Sequence, residues 1–214
     1  MEVSLTREAS HNAIFADSNF TDVIEAAAEH RELMHFIGVV VRRCKRREDL
    51  SGTLMGTLIK MVEVRRRPRA QGLVNRLERL YETYNPGNLR GCIIEAMVME
   101  RLRFRYQSPY WADNVFLSVN GSYTTTTSID ALGWDPVNRV GEAHDCKARA
   151  KDCSPVWLNE LLDELPKHGF RVGLATTDSG TTAKEVLKKL GVLKTDRLTV
   201  VGPETWWTGL PLQP

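Results

Sequence analysis

Between Ser128 and Ala148 the chain alternates with a period of two on either side of a tight turn, a pattern that specifies an antiparallel β-hairpin. The first arm is Ser128-Ile129-Asp130-Ala131-Leu132-Gly133-Trp134. Asp135-Pro136-Val137-Asn138 makes the turn, and Val140-Gly141-Glu142-Ala143-His144-Asp145-Cys146-Lys147-Ala148 is the second arm. Residues two apart on a strand face the same way, so Asp145 and Lys147 project together and Asp130 adds a carboxylate from the neighbouring strand. Two carboxylates and an ammonium converging on one spot hold a hard divalent cation and an activated water. Asp-x-Lys alone is usually a solvated pair. Here the second arm is flanked by small and apolar residues (Val140, Ala143, Cys146, Ala148), and an acid stands on the partner strand. These groups are what cutting a phosphodiester requires.

At 214 residues the chain is one large domain or one domain with a sizeable extension, long enough to bury a core. The net charge of +2 says little about partners, but its distribution says more. Within residues 42–79 there are 12 basic and 4 acidic side chains. Arg42, Arg43, Lys45, Arg46 and Arg47 form one cluster, and Arg65, Arg66, Arg67 and Arg69 another. Such clusters suit a polyanion, and the guanidinium fork matches phosphate geometry; a solvated helical face explains either cluster equally well. Cysteines at 44, 92, 146 and 153 show no Cys-x-x-Cys spacing, which argues against a zinc site and for free thiols. The first residues lack the apolar stretch of a signal peptide, and the run Phe36 to Val41 is too short to cross a bilayer. These features imply a cytoplasmic protein without membrane partners.

The order of elements follows from periodicity. Residues 1–20 have no clear period. A helix is expected from Thr21 through Val40, a second over Leu50 to Val64 ended by Pro68, and a third over Gly72 to Tyr84. Asn85-Pro86-Gly87 is a breaker and the expected boundary between a helical region, 1–87, and a second domain, 88–214. Asn88 then caps a helix through Leu102. Strands follow at Val115–Val119, Thr126–Leu132 and Arg139–Ala148; a helix opens at Ser154-Pro155; a strand covers Phe170–Thr176; a helix covers Thr182–Leu190; and a last strand covers Leu198–Val201.

In this order and with these residues, the chain resembles the PD-(D/E)xK nucleases of restriction-endonuclease-like fold, and within them the catalytic domain of Mrr-type restriction endonucleases. Ser128-Ile129-Asp130 stands at the family's first Asp, and Asp145-Cys146-Lys147 at its second acid and its Lys. Gly173 to Val192 is similar to the family's strand ending in Thr-Thr, its loop and its next helix. The resemblance covers roughly residues 88–207; no Pro precedes Asp130, and no Gly-rich run leads into it. It implies an α/β fold, an αβββαβ core with a mixed central sheet flanked by helices, preceded by the helical N-terminal region. It also implies a Mg²⁺-dependent endonuclease acting on double-stranded DNA, with Mn²⁺ as a substitute and a possible homodimer.

On that resemblance Asp130, Asp145 and the backbone carbonyl of Cys146 hold the metal, and Lys147 orients the attacking water, lowers its pKa or stabilises the phosphorane. Glu95, amid Cys92, Ile93, Ile94, Ala96 and Met97, is either a further catalytic metal ligand or a solvated helix residue. Lys151, Arg43, Arg46 and Arg66 are candidate nucleic-acid contacts. Glu142 and His144 fall on the opposite face and are left out. Thr176, Thr177 and Ser179 suit strand-end and turn positions, with Ser179 or Thr181 capping the following helix. Trp206 and Trp207 suit a core or dimer patch. Two alternatives stand beside the nuclease: a non-catalytic DNA-binding relative, and a subunit-interaction module of a DNA-processing or defence complex.

Overall fold

A computed structural model describes residues 3–7, 13–106, 110–202 and 205. Seven helices and seven strands are described in chain order: β1 (Val3–Arg7), α1 (Ser18–Ala28), α2 (Arg31–Arg43), α3 (Thr53–Met61), α4 (Arg67–Thr83), α5 (Pro86–Arg105), β2 (Trp111–Val119), β3 (Ser122–Tyr123), β4 (Ile129–Asp135), β5 (Val140–Cys146), α6 (Pro155–Glu164), β6 (Phe170–Ala175), α7 (Gly180–Lys189) and β7 (Thr199–Val201). The α/β expectation holds: a mixed sheet is flanked by helices and joined to a helical N-terminal region.

The sheet runs β1-β2-β4-β5-β6-β7, with β3 hanging on β2. β1, β2, β4 and β5 pair antiparallel; β5, β6 and β7 are parallel. Alternation divides the side chains between two cores. Ala131, Cys146, Ala175 and Val201 pack toward α5 and the N-terminal helices. Leu132, Trp134, Ala143, Val172 and Leu174 pack toward α6 and α7, with Trp134 stacked on Phe170 at 4.7 Å between ring centroids. The first cluster is continuous from α1 through α5 to the sheet, because α5 is buried on several sides through Leu89, Ile93, Ile94, Met97 and Leu102.

Several local expectations are corrected. The helix expected over Thr21–Val40 is two helices, α1 and α2, broken at Glu29-His30, where His30 is extended (φ −139°). Pro68 opens α4 rather than closing its predecessor, since proline fits the first helical turn, where no N–H bond is needed. Asn85, not Asn88, caps α5: its Oδ1 accepts from the Gly87 and Asn88 amides, with Pro86 in the first turn. The region 1–20 contributes the edge strand β1, paired with Leu117 opposite Leu5. The Asp135 turn forms as expected, its Oδ1 accepting from the Val137 and Asn138 amides at 2.9 and 3.0 Å. Among the described residues no helix is long and apolar enough to cross a membrane, and all four cysteines are buried free thiols.

Candidate active site

The ladder between β4 and β5 places Ala131 opposite His144. One residue further, Asp130 stands across from Asp145. There the backbone pairing stops, and the Asp130 side chain takes over: its Oδ2 accepts the Cys146 amide at 2.7 Å. On its other side β5 stays tied to β6, with the Lys147 amide donating to the Ala175 carbonyl at 3.0 Å. Lys147 therefore leaves the C-terminal end of β5 in a fixed direction. Its Nζ lies 2.7 Å from Asp145 Oδ1 and 3.0 Å from Asp130 Oδ2, and it also reaches the Cys146 carbonyl at 3.3 Å. The structure thus brings together the two acids, the amine and the carbonyl that the sequence singled out. They lie outside the carboxyl ends of parallel strands β5 and β6, where open α/β sheets hold ligands.

Exposure grades across this group. The Asp145 side chain is 2% exposed, Asp130 22% and Lys147 33%, so the cluster opens to solvent on the lysine side. Asp145 Oδ2 is buried with no hydrogen-bond partner, an acceptor turned away from the ammonium that holds Oδ1. Burial raises the Asp145 pKa, Lys147 opposes the rise and Asp130 adds to it. For Lys147 burial works against the charge, but Asp145 and Asp130 outweigh it and hold the amine protonated.

Glu95 faces this cluster from α5. Burial first, then the negative charges of Asp130 and Asp113, push its carboxyl up to about 8, with Asn114 and Lys147 pulling the other way. The side chain is not a solvated helix residue. Asn114 Nδ2 donates to its Oε1 at 2.9 Å. Asn114 falls in the row of β2 that faces Asp130, between the pairs Asp113–Ala131 and Val115–Ile129, but it is itself unpaired and left-handed, with φ 48°. Asn tolerates that conformation better than most residues, and backbone held there concentrates at functional sites. Sequence reasoning missed Asn114, because the strand expected from the sequence begins at Val115 and leaves Asn114 outside it.

The loops behind the site are tied down. Thr177 Oγ1 donates to the Ala148 carbonyl at 2.7 Å, and Asp178 Oδ2 accepts the Ala150 amide at 2.8 Å. Thr176 and Thr177 are buried strand-end residues, and Ser179 caps α7. Glu142 and His144 form a separate cluster. Glu142 accepts from Arg105 at 2.6 Å and Tyr106 at 3.1 Å, and lies 3.0 Å from His144 Nε2.

The proposed nucleic-acid contacts divide. Arg43, Arg46 and Lys151 are exposed, and none of the three forms a salt bridge among the described residues. Arg66 is different: its side chain is 11% exposed and its Nη1 pairs with Glu32 at 2.8 Å and Glu63 at 3.1 Å. That guanidinium ties α2 to the start of α4, so its charge is met within the fold. Arg65 and Arg69 likewise pair with Glu63 and Glu29. Trp206 and Trp207 lie outside the described residues.

Among the described residues no group of three or more His, Cys, Asp or Glu side chains is placed to hold a metal ion. What stands at the end of β5 is two carboxylates, one of them with a buried unshared oxygen, and a carbonyl. This oxygen-only set matches a cation that keeps several waters and takes one or two carboxylates, which is how Mg²⁺ binds. Set against models of protein families and against curated proteins, the chain matches none.

Proposed function

We propose that the chain is a Mg²⁺-dependent endodeoxyribonuclease of the PD-(D/E)xK kind, related to the Mrr-type restriction endonucleases and acting on double-stranded DNA. The observation that carries this reading is the convergence of Asp130, Asp145 and Lys147 within 3.0 Å of one ammonium nitrogen at the mouth of the sheet. Support for the fold assignment comes from the element order: α5, β2, β4, β5, α6, β6 follows αβββαβ once the short β3 is set aside.

In this reading Asp130 Oδ1, Asp145 Oδ2 and the Cys146 carbonyl would hold Mg²⁺ or Mn²⁺, with Glu95 joining through its waters. When bound, the cation supplies a polarised phosphoryl oxygen and a water of lowered pKa. Lys147, kept as the ammonium by two carboxylates, cannot take a proton; it acts as a donor that orients the attacking water and as a counter-charge to the phosphorane. Asn114 holds the Glu95 carboxyl in place, and the Asp130 bond to the Cys146 amide fixes the spacing of the two strands. Arg43, Arg46 and Lys151 are free to meet the backbone of the DNA. Two strands need two cuts, which a homodimer would provide.

The test is plasmid cleavage in Mg²⁺ by the native chain and by Lys147→Ala. The native chain should nick or linearise the plasmid and the variant should not; equal activity, or equal inactivity, in both rejects the reading. One observation favours a second reading, a DNA-binding relative that does not cut: Lys147 already occupies the space between the acids. It predicts salt-dependent DNA binding with no cleavage in any divalent metal.

A further inference from the structure

Beside Lys147 the surface opens into a cleft of about 490 Å³ between the start of α5, the segment after α2 and the loop after β5. Its walls include Lys45, Asn88, Arg90, Lys147, Arg149 and Asp152. We propose that this cleft is a phosphate-binding subsite, with Arg90 at its floor, that seats a backbone phosphate of the DNA strand adjoining the one presented to Asp130, Asp145 and Lys147. The proposal deepens the nuclease reading and rests on it for the identity of the ligand.

Arg90 is the observation that points to a ligand. It is 7% exposed. Its Nε donates to the Val41 carbonyl at 2.7 Å, in the last turn of α2, where carbonyls lack partners within the helix. Its Nη2 is buried with no hydrogen-bond partner, and no carboxylate pairs with it among the described residues. A buried guanidinium with an unmet donor is costly, and such groups call for an explanation. The unburied edge of the guanidinium lines the cleft, and arginine N–H groups suit a phosphate oxygen.

Of the five charged side chains lining the cleft, four are basic and one, Asp152, is acidic. Among the described residues, exposed Lys45 forms no salt bridge and Arg149 pairs only loosely, with Asp152 at 3.9 Å. The N-terminus of α5, a helix of 20 residues, lies along the cleft and brings the positive end of its dipole to it. Gly91 keeps the space open, since a Cβ built there would meet nothing within 4 Å. Lys147 is shared between this cleft and the acidic cluster, so a strand lying over it would meet both in succession.

The experiment measures binding of a fluorescein-labelled DNA duplex to the full chain by anisotropy, in EDTA and over a range of NaCl concentrations. Lys45→Gln and Arg149→Gln should each weaken binding about three- to tenfold and flatten the logarithmic salt dependence by about one unit, the slope of one phosphate contact. Gly91→Glu, which fills the cleft and reverses its charge on an open helix position, should weaken it by more than about tenfold. Arg90→Lys keeps the charge and removes the fork, and should weaken binding with little change in salt slope. If that variant does not fold, the three cleft positions Lys45, Gly91 and Arg149 decide the matter. Native-like affinity in all of Lys45→Gln, Arg149→Gln and Gly91→Glu overturns the subsite, as does a native chain that binds no duplex. Lost binding in these variants with no plasmid cleavage by the native chain upholds the subsite and rejects the nuclease. Cleavage abolished by Lys147→Ala, with native binding in the cleft variants, does the reverse.

Discussion

Replacing Glu95 by Gln separates the electrostatic strain of the site from its chemistry. The carboxyl has an ordinary value of 4.5 and is pushed to about 8 in the folded chain, by burial first and then by Asp130 and Asp113. Because the folded value is raised, the unfolded chain gives up this proton at a lower pH than the folded one. The group's contribution to stability is intact below about pH 4.5, shrinks as pH rises and is lost by about pH 8. At about 1.4 kcal/mol per pH unit, the ceiling on that loss is about 3 kcal/mol by pH 7 and about 5 kcal/mol above pH 8. Gln removes the titration and can still accept from Asn114. Urea unfolding in EDTA at several values between pH 5 and pH 8.5 reads the difference directly, since every other group titrates in both proteins. The variant should be close to native near pH 5 and become progressively more stable than native above it. Parallel pH profiles would refute the placement of Glu95 against the other acids.

Glu142 should behave oppositely. Burial raises its pKa, but the His144 hydrogen bond, Arg101 and Arg105 prevail and hold it at about 2. Its contribution is therefore present above about pH 4.5 and fades as pH falls toward 2, and Glu142→Gln should cost about 3 kcal/mol in urea unfolding at pH 7. Gly173→Ala would put a Cβ 2.2 Å from His144 Nδ1, and the forced shift should cost about 1–3 kcal/mol in the same assay. Mn²⁺ at a hundred times its dissociation constant should stabilise the native chain by about 2.7 kcal/mol in thermal unfolding, and Asp145→Asn should lose that response.

How much of this was legible in the sequence depended on range. Asp130, Asp145 and Lys147 could be paired from a period of two and one tight turn, because a hairpin joins them locally. Glu95 could be flagged as a carboxylate in an apolar run but not placed, since its neighbours Asn114 and Asp130 come from two different strands. Nothing in the sequence singles out Arg90; its position depends on the Val41 carbonyl, 49 residues away. The second arginine cluster misled for the same reason, because Glu29 and Glu32 meet it only once α1 and α2 fold back on α4. The break at His30 carries neither Pro nor Gly, so a helical period ran straight across it, and β1 was too short to stand out before its partner was known.

In the nuclease reading, the ammonium seated between Asp130 and Asp145 is a charge with which an entering cation would share the carboxylates. Lys147 is tethered to β5, so it meets the carboxylates at a high effective concentration. Sodium or potassium offers the carboxylates no more charge than the amine already gives. A divalent ion would outweigh the amine's single charge, and Lys147 would stay within reach of the attacking water. Folding without metal, discrimination against monovalent ions and a donor beside the attacking water would all follow from one side chain.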